Sequence, residues 1–457
     1  MRRANIGTFT RGLASAFLAG DWTRDGLTAR AAHVLALALT RPENAWLHTL
    51  VREVREAFPR PSQQRRDALG DWLRHNETFL DAWSEPTTPH ALRTWLLDRP
   101  RMGRAHWPVR PLDDEVGVAG WLGLTHEDLA WFADRRGYAR RENAPKLRHY
   151  DYSWRRKADG SLRLLEAPRP RLKSLQRRVL EEILVHIPPH EAAHGFVRDR
   201  SVRTHAALHV GRPLVLKLDL QAFFANVSTP RLLGVFLQAG YPENVARTLL
   251  AICTHRTPLA ILRDAPALAE PGALRALWRL RSRLSDWHLP QGAPTSPALA
   301  NLAAFTLDLR LHALARSHDA TYSRYADDLT FSASSSLRPR ASRFLDAVSE
   351  IAREEGFGLN AHKTRVMPRS RRQSVTGIVV NARPNLARDD YDRLKAVLHN
   401  CVRHGPRTQA PTEASLAHFR AQLQGRVAWA AHLNATRGAR LRALFDRIEW
   451  PPQSPSP

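Results

Sequence analysis

At 457 residues, 43% of them hydrophobic, the chain is long enough for two or three domains with cores of their own. Lys and Arg number 69 against 44 Asp and Glu, a formal net charge of +25 that points to a polyanionic partner, nucleic acid before membrane. Two distant cysteines, Cys253 and Cys401, exclude a disulfide framework or zinc module, and no apolar run reaches the roughly 20 residues of a bilayer span, so the reading is a soluble cytoplasmic protein.

The apolar stretch from Leu13 to Ala19 is too short for an export signal, and Thr8, Thr10 and Arg11 precede it. Residues 1–110 read as a basic helical extension. Trp46, Leu47, Leu50, Val51, Val54 and Phe58 recur at helical spacing, and Pro59-Arg60-Pro61 ends that run. The segment from Pro100 to Pro111 reads as a linker, and 111–146 as a helical lead-in. There Thr125 and Asp128 make a capping-box-like start before Leu129, Trp131 and Phe132. No nucleophile, metal cluster or phosphate loop stands in this part, which leaves RNA binding or partner docking as its reading.

From 147 to 384 the pattern turns to short strands and helices. Arg155 to Arg163 reads as a basic hairpin with Asp159-Gly160 near its turn. Lys173, Gln176 and Arg177 on the next helix face solvent or a template backbone. Pro213 to Asp219 has strand length, and a helix runs from Thr229-Pro230 to Ala239, stopped by Gly240. Another begins at Ser296-Pro297 with Leu299, Leu302, Phe305 and Leu309 on one face. Strands at Thr321 to Tyr325 and Leu329 to Ala333 flank Ala326-Asp327, with Leu329, Phe331 and Ala333 alternating against Thr330 and Ser332. A helix with Leu345, Val348 and Ile351 inward stops at Gly356, and Ser374 to Val380 reads as a final strand. This order predicts an α+β fold around a split-βαβ antiparallel sheet.

Residues 385–450 return to helix, with Tyr391, Leu394, Leu398 and Cys401 on one face and Phe419, Leu423 and Val427 on another. Lys395, Arg403, Arg426, Arg437, Arg440 and Arg442 surround them with positive charge. The Pro/Ser tail 451–457 reads as disordered.

The strongest chemical signal is Tyr325-Ala326-Asp327-Asp328 at a tight turn. Adjacent carboxylates repel one another unless a cation lies between them, and carboxylate oxygens are the hard donors that Mg²⁺ prefers. Asp219, at the end of its strand, would face this hairpin as a third carboxylate. Three such groups can hold two Mg²⁺ ions for in-line phosphoryl transfer. Asp113-Asp114 and Asp389-Asp390 lack flanking strands and read as solvated or capping residues.

Several motifs arrive together in one order: Leu218 to Phe224 (LDLQAFF), Leu289 to Pro297 (LPQGAPTSP) continuing to Asn301-Leu302, the YADD box, Gly358 to Thr364 (GLNAHKT), and Val375 to Asn381 (VTGIVVN). Over about residues 147–450 the chain resembles the reverse transcriptases, and within them the bacterial retron enzymes. The resemblance implies a right-hand polymerase with fingers, palm and helical thumb, and Asp219, Asp327 and Asp328 as catalytic metal ligands. It implies that Arg163 on the fingers hairpin contacts the triphosphate, and that Phe224 lies under the incoming sugar and favours deoxynucleotides. Gln291 and Gly292 would approach the nucleotide or template base, and Lys363 the pyrophosphate.

The retron-like features are His194-Gly195-Phe196, Arg200-Ser201-Val202, the stretch His205-Ala-Ala-Leu-His209, and Val375-Thr376-Gly377. His205 stands where the family usually has Asn, and His205 with His209 reads as structural or RNA-contacting rather than metal-binding. Similarity to retron enzymes implies a structured non-coding RNA as template and primer, dNTPs as substrates, single-stranded DNA primed from an RNA 2′-OH, and an effector protein in defence against phage. A reverse transcriptase of another class, such as a group II intron or diversity-generating enzyme, and a non-catalytic RNA-binding protein on the same scaffold are the alternatives.

Overall fold

The computed structural model describes residues 5–20, 22–59, 66–93, 101–135, 137–138, 148–157, 159–268, 271–410 and 416–451. Arg60 and Pro61, Leu147 at the expected lead-in boundary, and residues 452–457 of the expected tail lie outside them. The chain divides into two compact units. One comprises Met1–Arg104, Pro111–Gly123 and Gly240–Ala246; the other comprises Ala105–Arg110, Leu124–Ala239 and Arg247–Pro457.

The first unit is helical. The helix Trp46–Ala57 buries Leu47, Leu50, Val51 and Val54 on the stripe that their spacing predicts. They join Leu13, Phe17, Leu27, Val34, Leu73 and Phe79 in one core, where each fully buried aliphatic side chain contributes about 1.5–3 kcal/mol. The apolar stretch after Arg11 lies inside this core, within the helix Ile6–Leu18. Asp114 caps the helix Glu115–Leu122 by accepting from Gly117 N, and Asp113 accepts from Met102 N. The first Asp pair thus serves backbone donors.

In the second unit Thr125 caps the helix His126–Ala133 by accepting from Asp128 N. The strands β1 (Tyr150–Arg156) and β2 (Leu162–Pro168) form the expected hairpin, with Gly160 at φ 78° in its turn. A four-stranded antiparallel sheet follows, in the order β4-β5-β3-β6: β3 is Leu214–Asp219, β4 Thr321–Tyr325, β5 Asp328–Ala333 and β6 Arg365–Pro368.

Four expectations are corrected here. The fourth strand of the sheet is β6; Ser374 to Val380 instead makes a separate two-residue hairpin of β7 (Ser374–Val375) and β8 (Ile378–Val379), turned at Thr376-Gly377. The alternation in β5 does not mark an exposed face. Thr330 and Ser332 are as buried as Leu329 and Phe331, because both sides of the sheet are covered. The helix from Ser296 ends at Ala303, and a second, Phe305–Arg316, takes a new direction, leaving Phe305 and Leu309 exposed while Leu307, Asp308 and Leu311 go inside. The inward stripe of Ala341–Glu354 likewise runs through Phe344, Val348 and Ala352, with Leu345 and Ile351 half-buried at its margin.

The helices Arg388–His404, Leu416–Leu433 and Ala435–Phe445 close the chain around Leu394, Leu398, Cys401, Leu423, Val427 and Leu441. Gly438 lets two of them cross closely: a Cβ there would come within 2.1 Å of Ala431 Cα. Lys395, Arg403, Arg426 and Arg440 are exposed, whereas Arg437 lies over the Tyr391 ring at 4.8 Å and Arg442 over Phe445. Asp389 and Asp390 sit in the first helical turn, where carboxylates complement the helix dipole. No helix among the described residues is long and apolar enough to cross a membrane.

Candidate active site

Antiparallel register sets Asp219, the last residue of β3, directly opposite Asp328, the first of β5. Directly paired residues share a face, so these two side chains are neighbours. Leu220 N donates to Asp327 O at 2.8 Å, tying the turn to the end of β3. Burial holds the Asp327 carboxyl above the usual range, reinforced by the negative charges of Asp219 and Asp328.

Two lysines answer part of this charge. Lys363 Nζ donates to both Asp219 oxygens, at 2.9 and 3.2 Å, and Lys217 Nζ lies 3.1 Å from Asp328 Oδ2. Lys363 is brought there by backbone pairing of its loop with β3: Asn360 N donates to Asp219 O, and Gln221 N to Gly358 O. Among the described residues no three His, Cys, Asp or Glu side chains converge in metal-ligand geometry. The donor chemistry nonetheless fits a hard divalent cation, since the charges of Asp219 at the end of β3 and of Asp328 both act on Asp327.

The turn itself is strained. Ala326 adopts φ 54°, in the left-handed region that a residue with a Cβ seldom enters. Arg324, fully buried, holds it by donating to Ala326 O at 3.0 Å, to Asn301 Oδ1 at 2.9 Å, and bidentately to Asp308 at 2.8 and 2.6 Å. Tyr322 adds a hydrogen bond to Asp308. Asn301 in turn donates to Gly195 O, and Gly195 lies so near the turn that a Cβ there would be 2.5 Å from Ala326 N.

Below the same hairpin, His209 bridges its two strands. Nε2 pairs with Ser323 Oγ on β4 and Nδ1 with Ser332 Oγ on β5, both at 2.7 Å. Burial first, and His205 second, push its pKa well down, so the ring is neutral, one nitrogen donating and the other accepting. His205 lies between His209 and Tyr325, edge-on to the first and tilted to the second, with centroids 5.7 and 5.8 Å away. Both histidines are buried, which fits the structural one of the two roles expected.

Asp219 and Asp327 open onto a cavity of about 1330 Å³. Arg163, Phe224, Gln291 and Lys363 all line it. Phe223 is buried and Phe224 half-buried, on a 3-10 turn at Phe223–Asn226. Gly292, at φ 140°, makes a close approach to the hairpin, where a Cβ would lie 2.8 Å from Glu166 O. One expectation fails. Gln176 is fully buried, donating to Tyr150 Oη and Ile252 O, and cannot reach a template.

Arg156 and Lys157 of the expected basic hairpin line the cavity wall. Sequence reasoning missed several further groups. Arg279 and Arg283 add positive charge there. Burial, then Arg279, lowers the Arg283 pKa, as expected of neighbouring cations facing a polyanion site. Glu166, wholly buried on β2, accepts from His288 Nε2 and Thr257 Oγ1 at 2.7 Å each and fastens the hairpin to the loop before Gln291. Asp308, a charge among leucines, was the available signal for the buried pair.

The reverse transcriptase (RNA-dependent DNA polymerase) family profile matches residues 155–380, which hold every one of these groups. The retron Mx65 reverse transcriptase of Myxococcus xanthus is 38% identical over 350 residues, covering 77% of this chain and 75% of the relative. The retron Mx162 enzyme of the same organism is 32% identical over 453 residues, 94% of this chain and 87% of the relative. The chain belongs to the retron reverse transcriptases. It is thus an RNA-directed DNA polymerase, in agreement with the resemblance carried by its motifs. A third retron reverse transcriptase, Ec86 of Escherichia coli, is 32% identical over 241 residues, 52% of this chain and 65% of the relative.

Proposed function

We propose that this retron reverse transcriptase copies part of a structured non-coding RNA into single-stranded DNA, with Asp219, Asp327 and Asp328 holding two Mg²⁺ ions. The observation that carries this is the pairing of Asp219 with Asp328 beside Asp327, at a cavity walled by Arg and Lys. Mg²⁺ bound there would activate the primer hydroxyl and stabilise the pyrophosphate leaving group. The sheet then acts as palm, the β1–β2 hairpin as fingers and the C-terminal helices as thumb. Arg163 binds triphosphate oxygens through its planar fork, and Phe224 closes the space a 2′-OH would need. Gln291 orients the template base or nucleotide. Lys363, released from Asp219 when a divalent cation neutralises that carboxylate, donates a proton or positive charge to the departing pyrophosphate. Priming from an RNA 2′-OH, a cytoplasmic location and service to a defence effector follow the family reading, as does grip on RNA by Lys395, Arg403, Arg426 and Arg440.

Primer extension with Mg²⁺, dNTPs and the neighbouring genomic RNA tests the proposal. DNA product is expected from the native chain and none from the Asp327→Ala, Asp328→Ala double variant at unchanged melting temperature. Binding without DNA synthesis by the native chain would favour a non-catalytic RNA-binding protein.

A further inference from the structure

The helix Pro271–Leu284 has two differently equipped sides. Ala276, Leu280, Arg279 and Arg283 line the polymerase cavity. Trp278 points elsewhere, 71% exposed, into a separate groove of about 300 Å³ shared with Leu259, Leu262, Arg263 and Arg281. Leu259 and Leu274 are also exposed, at 45% and 47%. An indole so exposed beside two exposed leucines forms an apolar patch of the kind that marks a binding surface.

Charge decides what covers it. Arg263 and Arg281 share the groove with Trp278, and no acidic residue lines it among the described residues. Aromatic face and guanidinium forks side by side suit a base and its phosphates. The same helix lines both the groove and the cavity, so a strand crossing this helix on its way in or out meets the ring. We propose that Trp278, flanked by Arg263 and Arg281, is a base-stacking platform for a single-stranded stretch of the nucleic acid being copied or made. This rests on the polymerase reading of the cavity and adds a second contact outside it.

The full chain, its Trp278→Ala and Trp278→Phe variants and an Arg281→Ala variant would be titrated by fluorescence anisotropy against RNA–DNA primer-templates. One substrate is blunt, one carries a single-stranded RNA extension and one a single-stranded DNA extension. Trp278→Ala is expected to weaken at least one extended substrate about tenfold and leave the blunt one unchanged, with Trp278→Phe retaining most of the affinity. Arg281→Ala weakens the same substrate. Equal affinities for native and Trp278→Ala chains on all substrates overturn the proposal. So does conversion of a native dimer to monomers by Trp278→Ala, read by size-exclusion chromatography, with no change in affinity. A native chain that makes no DNA yet shows the Trp278-dependent preference would sink the polymerase reading and leave the platform standing.

Discussion

The YADD turn is held by side chains that do not line the cavity. Ala326 pays in backbone strain for presenting Asp327, and the hydrogen bonds of Arg324, Asn301 and the close approach of Gly195 keep it there. His209 does the same for the two strands, each of its nitrogens taken by a serine hydroxyl. His209→Leu would strand both hydroxyls without partners, at a cost of about 1–3 kcal/mol. The expected outcome is a lower urea midpoint and a lower kcat for nucleotide addition with little change in KM for dNTPs, since the cavity walls are untouched. A variant that melts earlier yet keeps full kcat would reduce His209 to fold stability alone.

At the scale of elements, the β1–β2 hairpin is fastened to the loop that carries Gln291 through Glu166. Burial works against the Glu166 carboxylate, but His288, with His255 and Thr257, outweighs it and holds the pKa below the ordinary 4.5. For His288, burial is likewise outweighed by Glu166, and its pKa stands above 6.5. The Glu166 contribution is present above 4.5 and is lost as pH falls through its lowered value. The His288 contribution is complete below 6.5 and is lost as pH rises through its raised value. The pair therefore stabilises most in between. Melting temperatures of the native chain and Glu166→Gln should differ most near about pH 5.5 and converge on the alkaline side. A difference independent of pH would show that the ion pair is not what fastens the hairpin.

For the whole molecule, the charge of +25 is distributed over the cavity wall, the helix Pro271–Leu284 and the exposed arginines of the C-terminal helices. Binding dominated by phosphate contacts releases counterions, so affinity should fall steeply with salt. For about six phosphate contacts to duplex, a loss of about a thousandfold is expected between roughly 50 and 200 mM salt. The slope of log K against log salt, measured with a structured RNA, checks this. A flat dependence would mean that apolar and base contacts carry the affinity and that the positive surface serves another purpose.

The sequence by itself determined the short-range features: the carboxylates Asp219, Asp327 and Asp328, the strands around YADD, the caps at Asp114 and Thr125, and the basic hairpin were all legible. These are short-range patterns, in which propensity, alternation and capping act within a few residues. The tertiary structure decided what surrounds them. Lys363 meets Asp219 across 144 positions, His209 meets Ser332 across 123, and Glu166 meets His288 across 122. It also decided that β6 completes the sheet, that Gly292 packs on Glu166 and that Gln176 is internal. No local pattern encodes such pairs. A buried polar group must find its partner wherever the fold brings one, and only the folded chain shows which of the distant candidates supplies it.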